Sequence, residues 1–282
     1  MPTFQNNATL TFNGRSVQSN TVTGEITDLL TGSKTAPVDV YRQGDRITYA
    51  ISLVNAGDTA LTDLTVTDDL GAYTFGTETL TPLTYLDGSA ALFINGTPQA
   101  APTVAVQDGS LVFSGISVPS DGNATLVYVV TANQYAPLGE GECVVNTATV
   151  TGDGVFTPLS LSATVTPDQT ADLSIVKSLS PATVVGGGPV TYSFEIANGG
   201  VTPVTESDSV TLTDVFNPVL ENPTVAYNGT TLNSGTDYTY TAGTLTVLAG
   251  VITLPAATVS QSATGEWITD PGTGTLTVTG TI

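Results

Sequence analysis

The chain has 282 residues, enough for about two domains with cores of their own, yet only 11% are charged, against roughly a quarter in an average soluble protein. Five basic residues against twenty-five acidic ones leave a net charge of -20, the wrong sign for gripping a phosphate backbone or an anionic bilayer, so nucleic-acid binding is excluded. With no histidine and one cysteine, a single chain cannot assemble a Cys/His zinc cluster, a Ser-His-Asp triad or a Cys-His pair, and the expectation is a non-enzyme without cofactor or metal.

The opening Met1-Pro-Thr-Phe-Gln-Asn-Asn has neither a basic nor an apolar signal region, so no Sec signal peptide is expected. No run approaches the roughly 18 to 20 apolar residues of a spanning helix, and no membrane insertion is expected. Residues 1–30 then read as a hairpin, Asn6-Asn-Ala-Thr-Leu-Thr11 and Ser19-Asn-Thr-Val-Thr23 about Asn13-Gly14, with Leu10, Phe12, Val22 and Ile26 as its large apolar side chains. Residues 31–168 and 169–282 alternate apolar and polar residues in short runs such as Arg46–Val54, Ala124–Val130 and Thr275–Thr279. Asp87-Gly88, Asn95-Gly96, Asp108-Gly109, Asp121-Gly122, Asp153-Gly154 and Asn228-Gly229 tolerate positive φ and are expected to turn hairpins. No long helix is expected, and the fold class is all-β with two tandem sandwiches.

The two sandwiches are repeats. The block from Lys34 to Gly57 lies over that from Lys177 to Gly200 without a gap, 143 residues apart, matching Lys34 with Lys177, Tyr49 with Tyr192, Asn55 with Asn198 and Gly57 with Gly200. Val66-Thr67-Asp68 matches Leu212-Thr213-Asp214, Val118-Pro119 matches Leu254-Pro255, and Leu126-Val127-Tyr128 matches Leu276-Thr277-Val278. The first repeat continues into a closing hairpin, Asn146-Thr-Ala-Thr-Val-Thr151 and Leu159-Ser-Leu-Ser-Ala-Thr-Val165, which the second lacks. The N-terminal segment repeats that hairpin, with Ala8-Thr9 matching Ala148-Thr149 and Gly14 matching Gly154.

A sandwich without its last two strands leaves an open edge that favours pairing with another chain. Reaching its own second domain would need the N-terminal hairpin to fold back past the first, whereas a neighbouring copy needs no such path. A head-to-tail contact of this kind propagates unless it closes a ring. The expected partner is therefore a second copy, in a homo-oligomeric extracellular filament.

Gly44-Asp-Arg-Ile-Thr-Tyr49, Asn55-Ala-Gly57, Leu64-Thr-Val-Thr-Asp-Asp-Leu70, Val118-Pro119 and Asn146-Thr-Ala-Thr-Val-Thr151 resemble the bacterial surface repeat called domain of unknown function eleven. Ala171-Asp-Leu-Ser-Ile-Val-Lys177 resembles that family's opening strand, while Gly187-Gly-Pro replaces its usual Gly-Asp. The resemblance implies immunoglobulin-like sandwiches in surface and appendage proteins without enzymatic activity. Two such repeats also look similar to subunits of clostridial spore appendages, which need no secretion signal.

Several residues have two readings. Lys34 and Lys177 are the only lysines. The commoner role is an edge-strand lysine that discourages pairing or snorkels over apolar surface. The rarer one is a buried lysine that condenses with an Asn carboxamide, Asn146 or Asn6, assisted by Asp68, Asp214 or Glu195. Cys143 reads first as a small apolar strand residue and otherwise as a disulfide between chains. Asp68-Asp69 and the Asp-Gly pairs read as turns rather than calcium ligands, and Glu140 with Glu142 as a strand-end charge pair. Tyr73, Tyr85, Tyr135, Tyr238, Tyr240 and Trp267 suit sheet packing, the alternative being the carbohydrate-binding surface of a monomeric adhesin.

Overall fold

Period-two alternation produces strands throughout the computed structural model, which describes residues 3–25 and 29–282; among these there is no α-helix, only a 3-10 turn at Glu206–Asp208. The chain divides into two compact units, Met1–Pro167 and Asp168–Ile282. Both are β-sandwiches, each built of sheets about a core of its own.

The first unit opens with a ribbon. Strand β1 (Thr3–Asn6) pairs with β4 (Val22–Glu25), and β2 (Thr9–Phe12) with β3 (Arg15–Gln18). Asn13 and Gly14 turn the tip with φ of 49° and 75°, a primed turn that an Asn-Gly pair adopts with little strain. Among the described residues these four strands pair only with one another, and Phe4, Leu10, Phe12, Val17 and Val22 are exposed.

The strands that follow are β5 (Leu30–Thr35), β6 (Val40–Tyr41), β7 (Arg46–Asn55), β8 (Leu61–Asp68), β9 (Tyr73–Phe75), β10 (Glu78–Leu80) and β11 (Leu83–Tyr85). After them come β12 (Ala91–Ile94), β13 (Thr97–Pro98), β14 (Thr103–Gln107), β15 (Ser110–Val118), β16 (Gly122–Ala132), β17 (Val144–Thr151) and β18 (Leu159–Pro167). One sheet runs β13-β12-β16-β7-β5, with β11 also on β16, and the other runs β14-β15-β8-β17-β18-β6. Their inward faces share one core, to which Tyr49, Leu126 and Tyr128 contribute from the first sheet and Val66, Phe113 and Val150 from the second. Asn95-Gly96 and Asp108-Gly109 make the expected two-residue turns. Asp121-Gly122 does not: Asp121 takes a positive φ, but Gly122 already opens β16 opposite Asn55 and so has extended backbone.

The second unit comprises β19 (Leu173–Ser180), β20 (Pro189–Asn198), β21 (Leu212–Val215), β22 (Glu221–Tyr227), β23 (Thr230–Thr231), β24 (Tyr238–Thr241), β25 (Thr244–Val247), β26 (Thr258–Gln261), β27 (Trp267–Asp270) and β28 (Gly272–Thr281). Its sheets run β19-β20-β28-β22-β23 and β21-β25-β24, with β26 paired to β27. The repeat preserves register. Leu30 pairs with Asn55 as Leu173 does with Asn198, and Tyr49 pairs with Tyr128 as Tyr192 does with Val278.

The repeated Asn-x-Gly block is a buried clamp. Asn55 Nδ2 donates to the carbonyls of Thr59 and Pro119 at 2.8 and 3.0 Å, while its Oδ1 accepts from Gly57 N at 2.9 Å. Asn198 does the same with Thr202, Pro255 and Gly200, at 2.8, 3.1 and 3.0 Å. A carboxamide supplies both donors and an acceptor, so a single buried side chain satisfies backbone groups on two loops.

Candidate functional site

In the first sandwich, β5 lies at a sheet edge, but Lys34 points inward and its side chain is 0% exposed. The edge or snorkelling role expected for this lysine is therefore wrong: β18 packs against β5, and Lys34 reaches across the core to Asp68 of β8. Lys34 Nζ lies 2.6 Å from Asp68 Oδ2 and 4.9 Å from the centre of the Tyr49 ring. Tyr128 donates a short hydrogen bond to the same Asp68 oxygen, and Asn146 Nδ2 lies 3.5 Å from the Tyr128 hydroxyl. Four strands, β5, β8, β16 and β17, thus bring a lysine, a carboxylate, a phenol and a carboxamide into one buried cluster.

Burial pushes the Lys34 ammonium below its ordinary value of 10.5, opposed by the Asp68 and Asp69 charges. Burial also pushes the Tyr128 phenol well above its ordinary value, reinforced by the Asp68 charge, so Tyr128 stays a donor. Asn146 is fully buried, and its Oδ1 has no hydrogen-bond partner. An unsatisfied buried carbonyl costs about 1–3 kcal/mol, so its retention on the core face of β17 calls for a reason.

The second sandwich carries half of this arrangement. Lys177 Nζ lies 2.5 Å from Asp214 Oδ2 and about 5 Å from three rings, those of Tyr192, Phe194 and Phe216. Val278 replaces the phenol, and no described strand supplies the carboxamide. The Lys177 side chain is 40% exposed where its counterpart is sealed. Glu195 is exposed on the outward face of β20 and does not join the pair.

The difference lies in one missing neighbour. In the first unit β8 is held between β15 and β17, whereas β21, its equivalent, pairs among the described residues with β25 alone and ends its sheet. Beside that open edge, Leu173, Ile175, Ile196, Leu212 and Ile252 line a groove. Leu173 is 43% exposed, while its counterpart Leu30 is 6% exposed.

The N-terminal ribbon has the complementary pattern. Val144, Asn146, Ala148 and Val150 of β17 face the core, and the residues 140 positions earlier are Phe4, Asn6, Ala8 and Leu10. Each apolar position has an apolar counterpart and the one amide has an amide. The sequence reading picked out Leu10 and Phe12 but passed over Phe4, which extending the same period-two match back from Ala8 would have found. Leu10, Phe12 and Val22 are exposed in the ribbon; Ile26 lies outside the described residues.

The other candidates fall elsewhere. Cys143 precedes β17 and is exposed, not packed as an apolar strand residue, because the inward alternation begins at Val144. Asp68 is both a turn residue and the buried partner of Lys34: its Oδ1 accepts from the Leu70 amide at 3.0 Å while its Oδ2 meets the lysine, and Asp69 Oδ1 accepts from the amides of Gly71 and Thr147, both at 2.8 Å. Glu140 and Glu142 are exposed. None of the six aromatic residues considered for a carbohydrate surface is fully exposed: Tyr238 is buried and the other five half-buried.

No protein-family model matches the chain, and neither does any curated protein. Among solved structures it is similar to BcpA, the major pilin subunit of Bacillus cereus, at 13% identity and a TM-score of 0.35, spanning 96% of this chain and 73% of that one. It is also similar to the 35 kDa C-terminal fragment of the major pilin GBS80 of Streptococcus agalactiae, at 13% identity and a TM-score of 0.36, spanning 86% and 91%. A third is ACE19, the collagen-binding subdomain of the Enterococcus faecalis surface protein ACE, at 9% identity and a TM-score of 0.32, spanning 50% and 99%.

Proposed function

We propose that this chain is a structural subunit that assembles head to tail, the N-terminal ribbon of one copy completing the second sandwich of the next, into an extracellular fibre or spore appendage. The observation that carries the reading is the open edge of β21, set against a ribbon with the apolar-amide pattern of the strand that closes the same edge in the first unit. In the register of β17 on β8, Ala8 lies opposite Asp214 and Leu10 opposite Leu212, as Ala148 does Asp68 and Val150 does Val66. Phe4, Leu10 and Val22 leave water in the joint, a gross gain of about 5–9 kcal/mol, and main-chain pairing adds register. The contact joins two different surfaces, so it propagates. The net charge of -20 keeps the sides of finished fibres apart.

Negative-stain electron microscopy of the full chain beside one lacking residues 1–26 tests this. Fibres from the first, monomers from the second, and restored binding when the ribbon is added as a peptide are expected. Fibres from both, or monomers from both, would overturn the reading.

A further inference from the structure

We infer that Lys34 and Asn146 condense into an amide within the first sandwich, and that Lys177 of one copy and Asn6 of the next form the same bond across the fibre joint. The first bond stands on the buried cluster alone; the second rests also on the proposed assembly.

Three observations meet at the first bond. Lys34 Nζ is buried against Asp68 at 2.6 Å, the Asn146 carboxamide touches the phenol that holds the same carboxylate, and its Oδ1 is buried without a partner. A buried ion pair is a poor source of stability beside an apolar core of equal volume, since desolvation offsets most of its attraction. A lysine and a carboxamide buried in one cluster with a proton acceptor are, by contrast, set up for acyl transfer. Asp68 takes a proton from the ammonium, and the neutral amine attacks Asn146 Cγ, forming a C–N bond. Asp68 then relays a proton from the attacking nitrogen to the departing one, the Cγ–Nδ2 bond breaks, and ammonia leaves. In sum, a lysine ammonium and a carboxamide become an amide and an ammonium ion, with Asp68 regenerated and no further reactant consumed. Proximity supplies the rate, because both groups are held on rigid strands with water shut out. Asp68 is the catalytic residue and Tyr128 a positioning residue.

The second unit has every part but the carboxamide. Lys177 and Asp214 form the same pair at 2.5 Å, yet nothing described covers them. Asn6 stands two residues before Ala8 on the ribbon, as Asn146 stands two before Ala148 on β17. Docked in that register, the ribbon carries Asn6 toward Lys177 and seals it from water. The bond therefore forms only after docking, and a free chain does not spend its reactive lysine.

Intact mass of the full chain is the direct test of the first bond. A deficit of one ammonia per monomer is expected, together with a branched peptide joining Lys34 to Asn146 in a digest of the unaltered protein. Asn146→Ala restores the full mass. A full mass for the unaltered chain overturns this bond, whether or not any variant folds. For the second, fibres boiled in detergent with reductant are expected to run as a ladder, while Asn6→Ala and Lys177→Arg still give fibres that fall to monomers on boiling. Wild-type fibres that dissociate, or a ladder that survives both variants, overturn the inter-copy bond while leaving the assembly standing. Absence of fibres overturns the assembly and this bond together, and leaves the intramolecular bond to its mass.

Discussion

Truncating Leu10 to Ala separates a ribbon that docks from one that merely decorates the surface. In the free chain Leu10 is 72% exposed, so the substitution removes no packed neighbour and changes monomer stability by no more than about 0.5 kcal/mol. In the joint, Leu10 takes the place of Val150, which is 0% exposed in the first sandwich, over the groove at Leu212. Deleting a buried leucine costs about 2–5 kcal/mol, and the lower part of that range applies where the groove relaxes around the cavity. A loss of about 2–3 kcal/mol raises the critical concentration for assembly roughly 30- to 140-fold at 1.4 kcal/mol per decade. The comparison belongs in an Asn6→Ala background, where the joint stays reversible. Sedimentation gives the soluble concentration in equilibrium with fibre, and urea unfolding of the monomer gives the control. A critical concentration unmoved by L10A, or a monomer destabilised by as much as the fibre, would refute the reasoning.

Two further outcomes follow from the packing. Burial raises the phenols of Tyr41, Tyr49 and Tyr128 above their ordinary value of 10.0, whereas in the unfolded chain they ionise near it. Their contribution is thus fully present below pH 10 and is lost as pH rises beyond it, so the melting temperature of the first sandwich falls in alkali and Tyr41→Phe makes the fall shallower. Gly200→Ala places a Cβ 1.9 Å from the Thr170 carbonyl, a clash with backbone that no rotamer relieves. It is expected to destabilise the second sandwich by about 2 kcal/mol or more, read as a lowered second transition in calorimetry, while Gly186→Ala, in open space, leaves that transition in place.

Much of this was legible in sequence, because the information was carried by repetition. The 143-residue offset matched the Asn-x-Gly clamps before their hydrogen bonds were visible, and the displaced hairpin pointed to the strand missing beside β21. The Asn-Gly turns read true because positive φ is a local demand that local chemistry meets. Asn146 was detectable too, as an amide at a core position of the alternating run Val144, Asn146, Ala148 and Val150.

Lys34 was not. Its strand reads Leu-Thr-Gly-Ser-Lys-Thr, with too little apolar alternation to mark an inward face, and an edge strand ordinarily turns its lysine to water. Only the packing of β18 against that edge, with β8, β16 and β17 meeting in the same core, decides that Lys34 is sealed, that Asp68 and not Asp69 meets it, and that Tyr128 bridges to Asn146. The same residues on β19, without that cover, leave Lys177 open. Periodicity determines which residues can share a face within one strand. Burial of a charge depends on what is packed across it, and that belongs to the tertiary structure.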